Sequence, residues 1–167
     1  MVIKHSGQRV GVLIDLQNLY NSAKNIYRAR VNFREILKLA VSQRNLIRAF
    51  AYVVKTKTGE EKPFFEALTK LGIETRVKDL QEFYGGMKKA DWDVGIVIDA
   101  VRIAPSVDVL VLVSGDGDFI SLVEYLKNQG KRAEVLAFGK SASSKLKEVA
   151  DEFIDLGLYP EKFLLKK

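Results

Sequence analysis

Residues 107–119 read VDVLVLVSGDGDF. The first seven form a largely β-branched run interrupted only by Asp108, the mark of a strand buried on both faces of a parallel sheet. The next six switch abruptly to small and acidic residues, which suit a turn at a strand's carboxyl end. The pairing recurs upstream, where VGVLI (10–14) runs into Asp15-Leu16-Gln17-Asn18. Working outward, LIRAFAYVV (46–54), residues 73–77 and AEVLAF (133–138) read as further strands. Helical spacing fills the gaps: from Leu19 to about Arg28, from Phe33 to Val41, from Pro63 to a stop at Gly72, and after Asp118 to a stop at Gly130. DVGIVIDAVRI (93–103) has strand propensity, yet it directly precedes a stronger strand, and the alternation of elements assigns it to helix. Lys78 to Ala90 holds Gly85, Gly86, Lys88 and Lys89 with little periodicity and reads as a mobile basic loop. SASSKLKEVADEF (141–153) opens a last helix, and a tail runs from Phe153. Alternating strands and helices predict an α/β fold: a three-layer α/β/α sandwich, Rossmann-like, with a mostly parallel sheet and right-handed crossovers. The expectation is a single domain over 1–167, with a core of about 10–156 and a short C-terminal tail.

Composition narrows the chemistry. The 167 residues, 47% hydrophobic and 29% charged, match one soluble, compact domain. There is no cysteine, which excludes disulfide frameworks, zinc ribbons, iron–sulfur clusters and thiol nucleophiles. The single histidine, His5, lies near the N-terminus, which argues against Ser-His-Asp catalysis and His-based metal cages. Hydrolytic chemistry would therefore rest on carboxylates, with a metal. Lys and Arg number 27 against 21 Asp and Glu, a net charge of +6 with an isoelectric point near 9.4, a profile compatible with phosphate polymers. No apolar run approaches the roughly 18 residues that span a bilayer, and the opening MVIKHSGQRV has no signal-length apolar stretch, so no membrane partner and a cytoplasmic location are expected.

In open parallel sheets the site lies beyond the carboxyl ends of the strands, where the strand order reverses. If the strands at 10–14 and 107–113 are neighbours there, Asp15, Asp116 and Asp118 converge on one crevice, and Asp93 supplies a fourth carboxylate. Such acids repel one another unless a cation holds them ionised, and Mg²⁺ or Mn²⁺ is the natural oxygen-liganded partner. Gly115 and Gly117 would let the backbone approach a phosphate closely. Each acid alone could instead cap a helix, as Asp118, Asn18 and one of Asp91 and Asp93 could; Asp15, which begins its turn, is read as poorly placed to do so. Asp99, six residues after Asp93 and so about 240° further round a helix, ranks second and is kept as a supporting residue. The turn after the first strand lacks G-x-G-x-x-G, so no nicotinamide or flavin cofactor is expected. Gly139-Lys140-Ser141 lacks the upstream glycine of a P-loop, and Asp116-Gly117-Asp118 lacks the later residues of a calcium loop. Lys55, Lys57, Lys88 and Lys89 are the candidates for holding phosphates. Trp92, Tyr84 and Phe83 near those lysines would either stack on bases or close the core.

The segments VGVLIDLQNLY, KKADWDVGIVIDA, VLVLVSGDGDFISLVEYLKNQGKRAEVLAF and SSKLKEVADEFIDL, spanning Val10 to about Leu156, resemble the NYN domain in its LabA-like branch, within the PIN-like metal-dependent nucleases. The resemblance implies a PIN-like parallel sheet in the order 3-2-1-4-5, an acidic pocket for Mg²⁺ or Mn²⁺, and RNA as substrate. It implies metal-binding or catalytic acids at Asp15, Asp93, Asp116 and Asp118, with Asn18 and Ser114 supporting them. The family's Lys-Gly before the middle Asp-Val pair is replaced here by KKADWD, which leaves both Asp91 and Asp93 as candidates. The expected function is a metal-dependent ribonuclease; the alternatives are a non-catalytic RNA-binding or scaffold module of the same fold and, less favoured, a phosphoacceptor domain. Whether the chain forms a homo-oligomer is left open.

Overall fold

The computed structural model describes residues 4–55, 58–79, 81–82, 88–89 and 92–165. β1 (Arg9–Asp15) leads into α1 (Leu16–Ser22), which continues as a π turn (Ala23–Tyr27). β2 (Arg30–Val31), α2 (Phe33–Val41), β3 (Asn45–Lys55), α3 (Lys62–Lys70) and β4 (Glu74–Asp79) follow. After β5 (Gln81–Glu82) and β6 (Lys88–Lys89) come α4 (Asp93–Ile103), β7 (Val109–Val113), α5 (Ile120–Asn128), β8 (Arg132–Ala137) and α6 (Ser144–Val149). β9 (Glu152–Asp155), α7 (Pro160–Phe163) and β10 (Leu164–Leu165) close the described chain. Six strands form one sheet in the order β4-β3-β1-β7-β8-β9, and every pairing in it is parallel.

The sheet divides two apolar cores. Val10, Val12 and Ile14 of β1 point into one, with Leu19 of α1, Ile36 and Ala40 of α2 and Leu68 of α3. Leu13 points into the other, with Ile96 and Ala100 of α4, Leu122 and Leu126 of α5 and Leu146 of α6. The period of two along a strand produces this division, and burying each large aliphatic side chain is worth about 1.5–3 kcal/mol. Gly11 belongs to the second face, where a Cβ would stand 2.8 Å from Ile103 Cδ1, so the strand is thinned to admit α4. Both buried faces explain why β7 is apolar at every position.

Four expectations change. The sheet is longer than 3-2-1-4-5 by one strand, because β9 pairs with β8 (Val135 with Phe153) where the sequence reading had a helix end and a tail. The tail folds: β10 pairs antiparallel with β2, and Phe163 and Leu164 are buried. The stretch read as a loop from Lys78 contains the end of β4 and an antiparallel pair in which Gln81 registers with Lys89 and Glu82 with Lys88. The long helix read in 141–153 is short, Ser144–Val149, with the Ser143 side chain capping the Leu146 N–H.

One ion pair is sealed inside. The Arg44 guanidinium donates to both oxygens of Glu134, at 2.8 and 3.0 Å, and to the Ala40 and Val41 carbonyls, while Arg132 Nε donates to Glu134 at 2.7 Å. Both side chains of the Arg44–Glu134 pair are 1% exposed. Burial alone would raise the Glu134 carboxyl, but the hydrogen bonds from Arg44 and Arg132 outweigh it and hold the group below the usual range.

Candidate metal centre

β1 and β7 are neighbours, with Ile14 beside Val113, and the chain leaves them toward opposite edges of the sheet, β3 on one side and β8 on the other. The loops beyond their carboxyl ends diverge there and open a crevice. Asp15 is the last residue of β1, Ser114 to Asp116 follow β7, and α4 brings Asp93 as its first residue. One carboxylate oxygen from each of Asp15, Asp93 and Asp116 lies within 4.8 Å of the other two. Asp15 is buried, and Asp93 and Asp116 are half-buried.

Local structure fixes these groups. Ser114, fully buried, donates its hydroxyl to Asp15 Oδ2 at 2.9 Å and accepts the Asp116 N–H at 3.2 Å. Asn18 Oδ1 accepts the Gly115 N–H at 2.9 Å, which ties α1 to the loop after β7. Asp116 Oδ1 accepts the Asp118 N–H at 2.8 Å and so caps a 3₁₀ turn over Gly117–Phe119. Asp93 stands in the first turn of α4, where the helix dipole favours a carboxylate. Asp15 does cap α1, contrary to the sequence reading: its Oδ1 accepts the Asn18 N–H at 3.3 Å. Gly115 is explained by packing, since a Cβ there would stand 2.9 Å from Ala142 Cα.

The three acids open onto a cavity of about 170 Å³ whose walls also include Gln17, Asn18, Asn21, Val54 and Trp92. An all-oxygen carboxylate set with room beside it fits a hard divalent cation. Trp92 is held as a wall: its Nε1 donates to the Val53 carbonyl at 2.9 Å, and its ring lies 5.4 Å from that of Tyr52. A Cβ at Gly95 would stand 2.5 Å from the indole, so that glycine lets the ring lie on the first turn of α4.

The other sequence candidates are dispersed. Asp118 is exposed and stands outside the group of three. Asp99 is buried on α4, where it accepts from Tyr52 Oη at 2.8 Å and from Arg76 Nε at 3.2 Å. Burial, followed by the Asp99 contact, pushes the Tyr52 hydroxyl far above its ordinary value, so it stays protonated and donates. Lys55 ends β3 and is exposed. Lys88 and Lys89 make up β6. Lys57, Phe83, Tyr84 and Asp91 lie outside the described residues. The sequence reading missed Gln17 and Asn21, though their spacing of four on a helix beginning after Asp15 would have put both on the face that carries the acid. It also missed Trp92 as a wall of the pocket.

Sheet order and clustered acids define an α/β domain with a group of carboxylates able to hold a metal ion. The NYN domain family model matches residues 9–157, and the chain belongs to that family. It is 31% identical over 117 residues to the Low amplitude and bright protein LabA of Synechococcus elongatus, covering 66% of this chain and 63% of that protein. It is 25% identical over 157 residues to Uncharacterized protein MJ0482 of Methanocaldococcus jannaschii, covering 92% of this chain and 58% of the other. The chain thus spans less than two thirds of the length of either relative. A crystal structure of a protein of unknown function, VPA0982 from Vibrio parahaemolyticus, superposes with a TM-score of 0.87 at 32% identity, covering 98% of this chain and all of that one. Among the described residues no helix is long and apolar enough to cross a membrane.

Proposed function

We propose that this chain is a divalent-metal-dependent ribonuclease whose Asp15, Asp93 and Asp116 hold Mg²⁺ or Mn²⁺, with Asp118 at the rim of the site. The convergence of three carboxylates from β1, α4 and the loop after β7 carries this reading, and membership of the NYN family supports it. When bound, such an ion supplies Lewis acidity at a phosphoryl oxygen and lowers the pKa of a water molecule. The chain's own residues do the rest. Ser114 and Asn18 hold the Asp15 carboxylate in one rotamer, and the 3₁₀ turn holds Asp116, so the ligand oxygens are oriented before substrate arrives. Gln17 and Asn21 bring carboxamides to the wall of the cavity, where their N–H groups suit phosphate oxygens. Trp92 closes one side and limits water.

Asp116→Asn tests the reading. The variant is expected to lose Mn²⁺-dependent cleavage of single-stranded RNA while keeping its circular dichroism spectrum and its RNA affinity in EDTA. Equal cleavage by the purified variant overturns the assignment. RNA binding without turnover by the wild type, in either metal, would leave a binding module of the same fold.

A further inference from the structure

We propose that Tyr52, Asp99 and Arg76 are positioning residues for the metal centre: together they fix α4 along its own axis on the sheet, and so set where Asp93 presents its carboxylate. The proposal rests on the reading of Asp15, Asp93 and Asp116 as metal ligands, and not on RNA as the substrate. Asp15 and Asp116 are placed by β1 and by the loop after β7, neighbouring strands whose register is fixed by backbone pairing. Asp93 differs, because a helix lying on the sheet carries it. Ile96 and Ala100 bury that helix in the core that also holds Leu13 and Phe50. Apolar burial is non-directional, so it holds a helix down without deciding where along its axis it stops. Directional contacts have to do that.

β3 supplies them from two consecutive residues. The Val53 carbonyl accepts the Trp92 Nε1–H at 2.9 Å, just before α4, and Tyr52 Oη donates to Asp99 Oδ2 at 2.8 Å, two turns further on. Asp93 lies between these two points, which are about 10 Å apart along the helix axis. The Tyr52 ring also stands 5.4 Å from the Trp92 ring, so one side chain touches both ends of the segment that holds Asp93. β4 adds a third tie. Arg76 Nε donates to the same Asp99 oxygen at 3.2 Å, and its guanidinium carbon lies 4.8 Å from the centroid of the Phe50 ring.

Stability alone does not call for this arrangement. Tyr52 is 1% and Asp99 7% exposed, within an otherwise apolar core. Burying a carboxylate and a hydroxyl costs free energy that their hydrogen bonds only offset, and well-packed aliphatic side chains of similar volume would hold the helix as well or better. What the polar groups add is a set of bonds that weaken steeply when their geometry shifts. That property suits the carrier of a ligand, since residues that orient a metal ligand without touching the ion are typically worth about 10–100-fold in metal affinity.

The experiment uses the full chain without RNA and counts free Mn²⁺ by electron paramagnetic resonance as the ion is titrated in. Tyr52→Phe keeps the ring beside Trp92 and removes only the hydroxyl, whereas Ile36→Val loosens the other core, across the sheet from α4. Tyr52→Phe is expected to bind Mn²⁺ about tenfold more weakly. Ile36→Val is expected to bind it as the wild type does, although both variants unfold at lower urea. Asp99→Asn, which keeps an oxygen for the Tyr52 hydroxyl, is expected to lose less affinity than Asp99→Ala. Wild-type affinity in Tyr52→Phe, or an equal loss in Ile36→Val, overturns the proposal. So does a wild type that binds no Mn²⁺, or that binds it no better than Asp93→Asn. A wild type that binds Mn²⁺ in the expected pattern yet leaves RNA uncut upholds the positioning and defeats the ribonuclease reading. A wild type that cuts RNA in Mn²⁺ while Tyr52→Phe binds the ion and cuts normally does the reverse.

Discussion

The sealed pair on β8 and the acid cluster at the ends of β1 and β7 both hold carboxylates away from bulk water, and they are built on opposite plans. In the middle of β8, Glu134 meets the Arg44 fork and Arg132, each at hydrogen-bonding distance, in a sealed setting. At the ends of β1 and β7, three carboxylates are turned toward one another at the wall of a cavity. The first arrangement satisfies charge with opposite charge, and its removal should cost folding. The second gathers like charges, which cost stability by repulsion and repay that cost only when a cation arrives. The same chemical group therefore serves the fold at one site and a ligand at the other.

The largest effect expected from this contrast is at the sealed pair. Glu134→Ala leaves the Arg44 guanidinium buried without its partner and should cost about 3–5 kcal/mol in urea denaturation. The pH dependence follows from the direction of the shift. Because Glu134 is held below its ordinary value of 4.5, the ionised pair stabilises the fold above that pH. That contribution drains away as the pH falls from about 4.5 through the lower folded value. Glu134→Gln should therefore flatten this part of the acid limb. An unchanged midpoint in Glu134→Ala would show that the two plans do not differ in what they do for folding.

A smaller effect should come from filling the cavity. Mn²⁺ at a hundred times its dissociation constant should stabilise the wild type by about 2.7 kcal/mol, read as a rise in melting temperature. Asp93→Asn/Asp116→Asn should lose the rise, whereas Glu134→Gln should keep it. A full rise in the double variant would remove these two acids from the ligand set.

What could be read in advance follows from what each element depends on. β7 and β1 were legible because both of their faces are buried, so their apolar runs are self-declaring. β9 was not: Glu-Phe-Ile-Asp is four residues long, half-buried, and preceded by a helix-favouring run, so its conformation is set by pairing with β8 rather than by local preference. At the site, Asp15 and Asp116 were legible because they follow strands at the point where the order reverses, whereas Asp93 opens a helix. Asp118 is two residues beyond Asp116 on the far side of a glycine, and the 3₁₀ turn that separates them is a tertiary detail. Trp92 escaped as a wall because the glycine that seats it, Gly95, signals a clearance only once the helix is built.

The smallest effect is the most discriminating in sign. Removing a negative charge from Asp116 relieves its repulsion with Asp15 and Asp93, and Asn keeps the Oδ1 that accepts the Asp118 N–H and caps the turn. Without metal, Asp116→Asn should thus be neutral or more stable by up to about 1 kcal/mol, the scale of partly exposed charge interactions. Asp93→Asn relieves the same repulsion but forfeits a favourable helix-dipole interaction of about 0.3–1 kcal/mol at the start of α4, so it should fall below Asp116→Asn in urea. If Asp116→Asn instead destabilises the metal-free protein as Glu134→Ala does, the aspartate is a structural residue like Glu134, and the division between the two regions collapses.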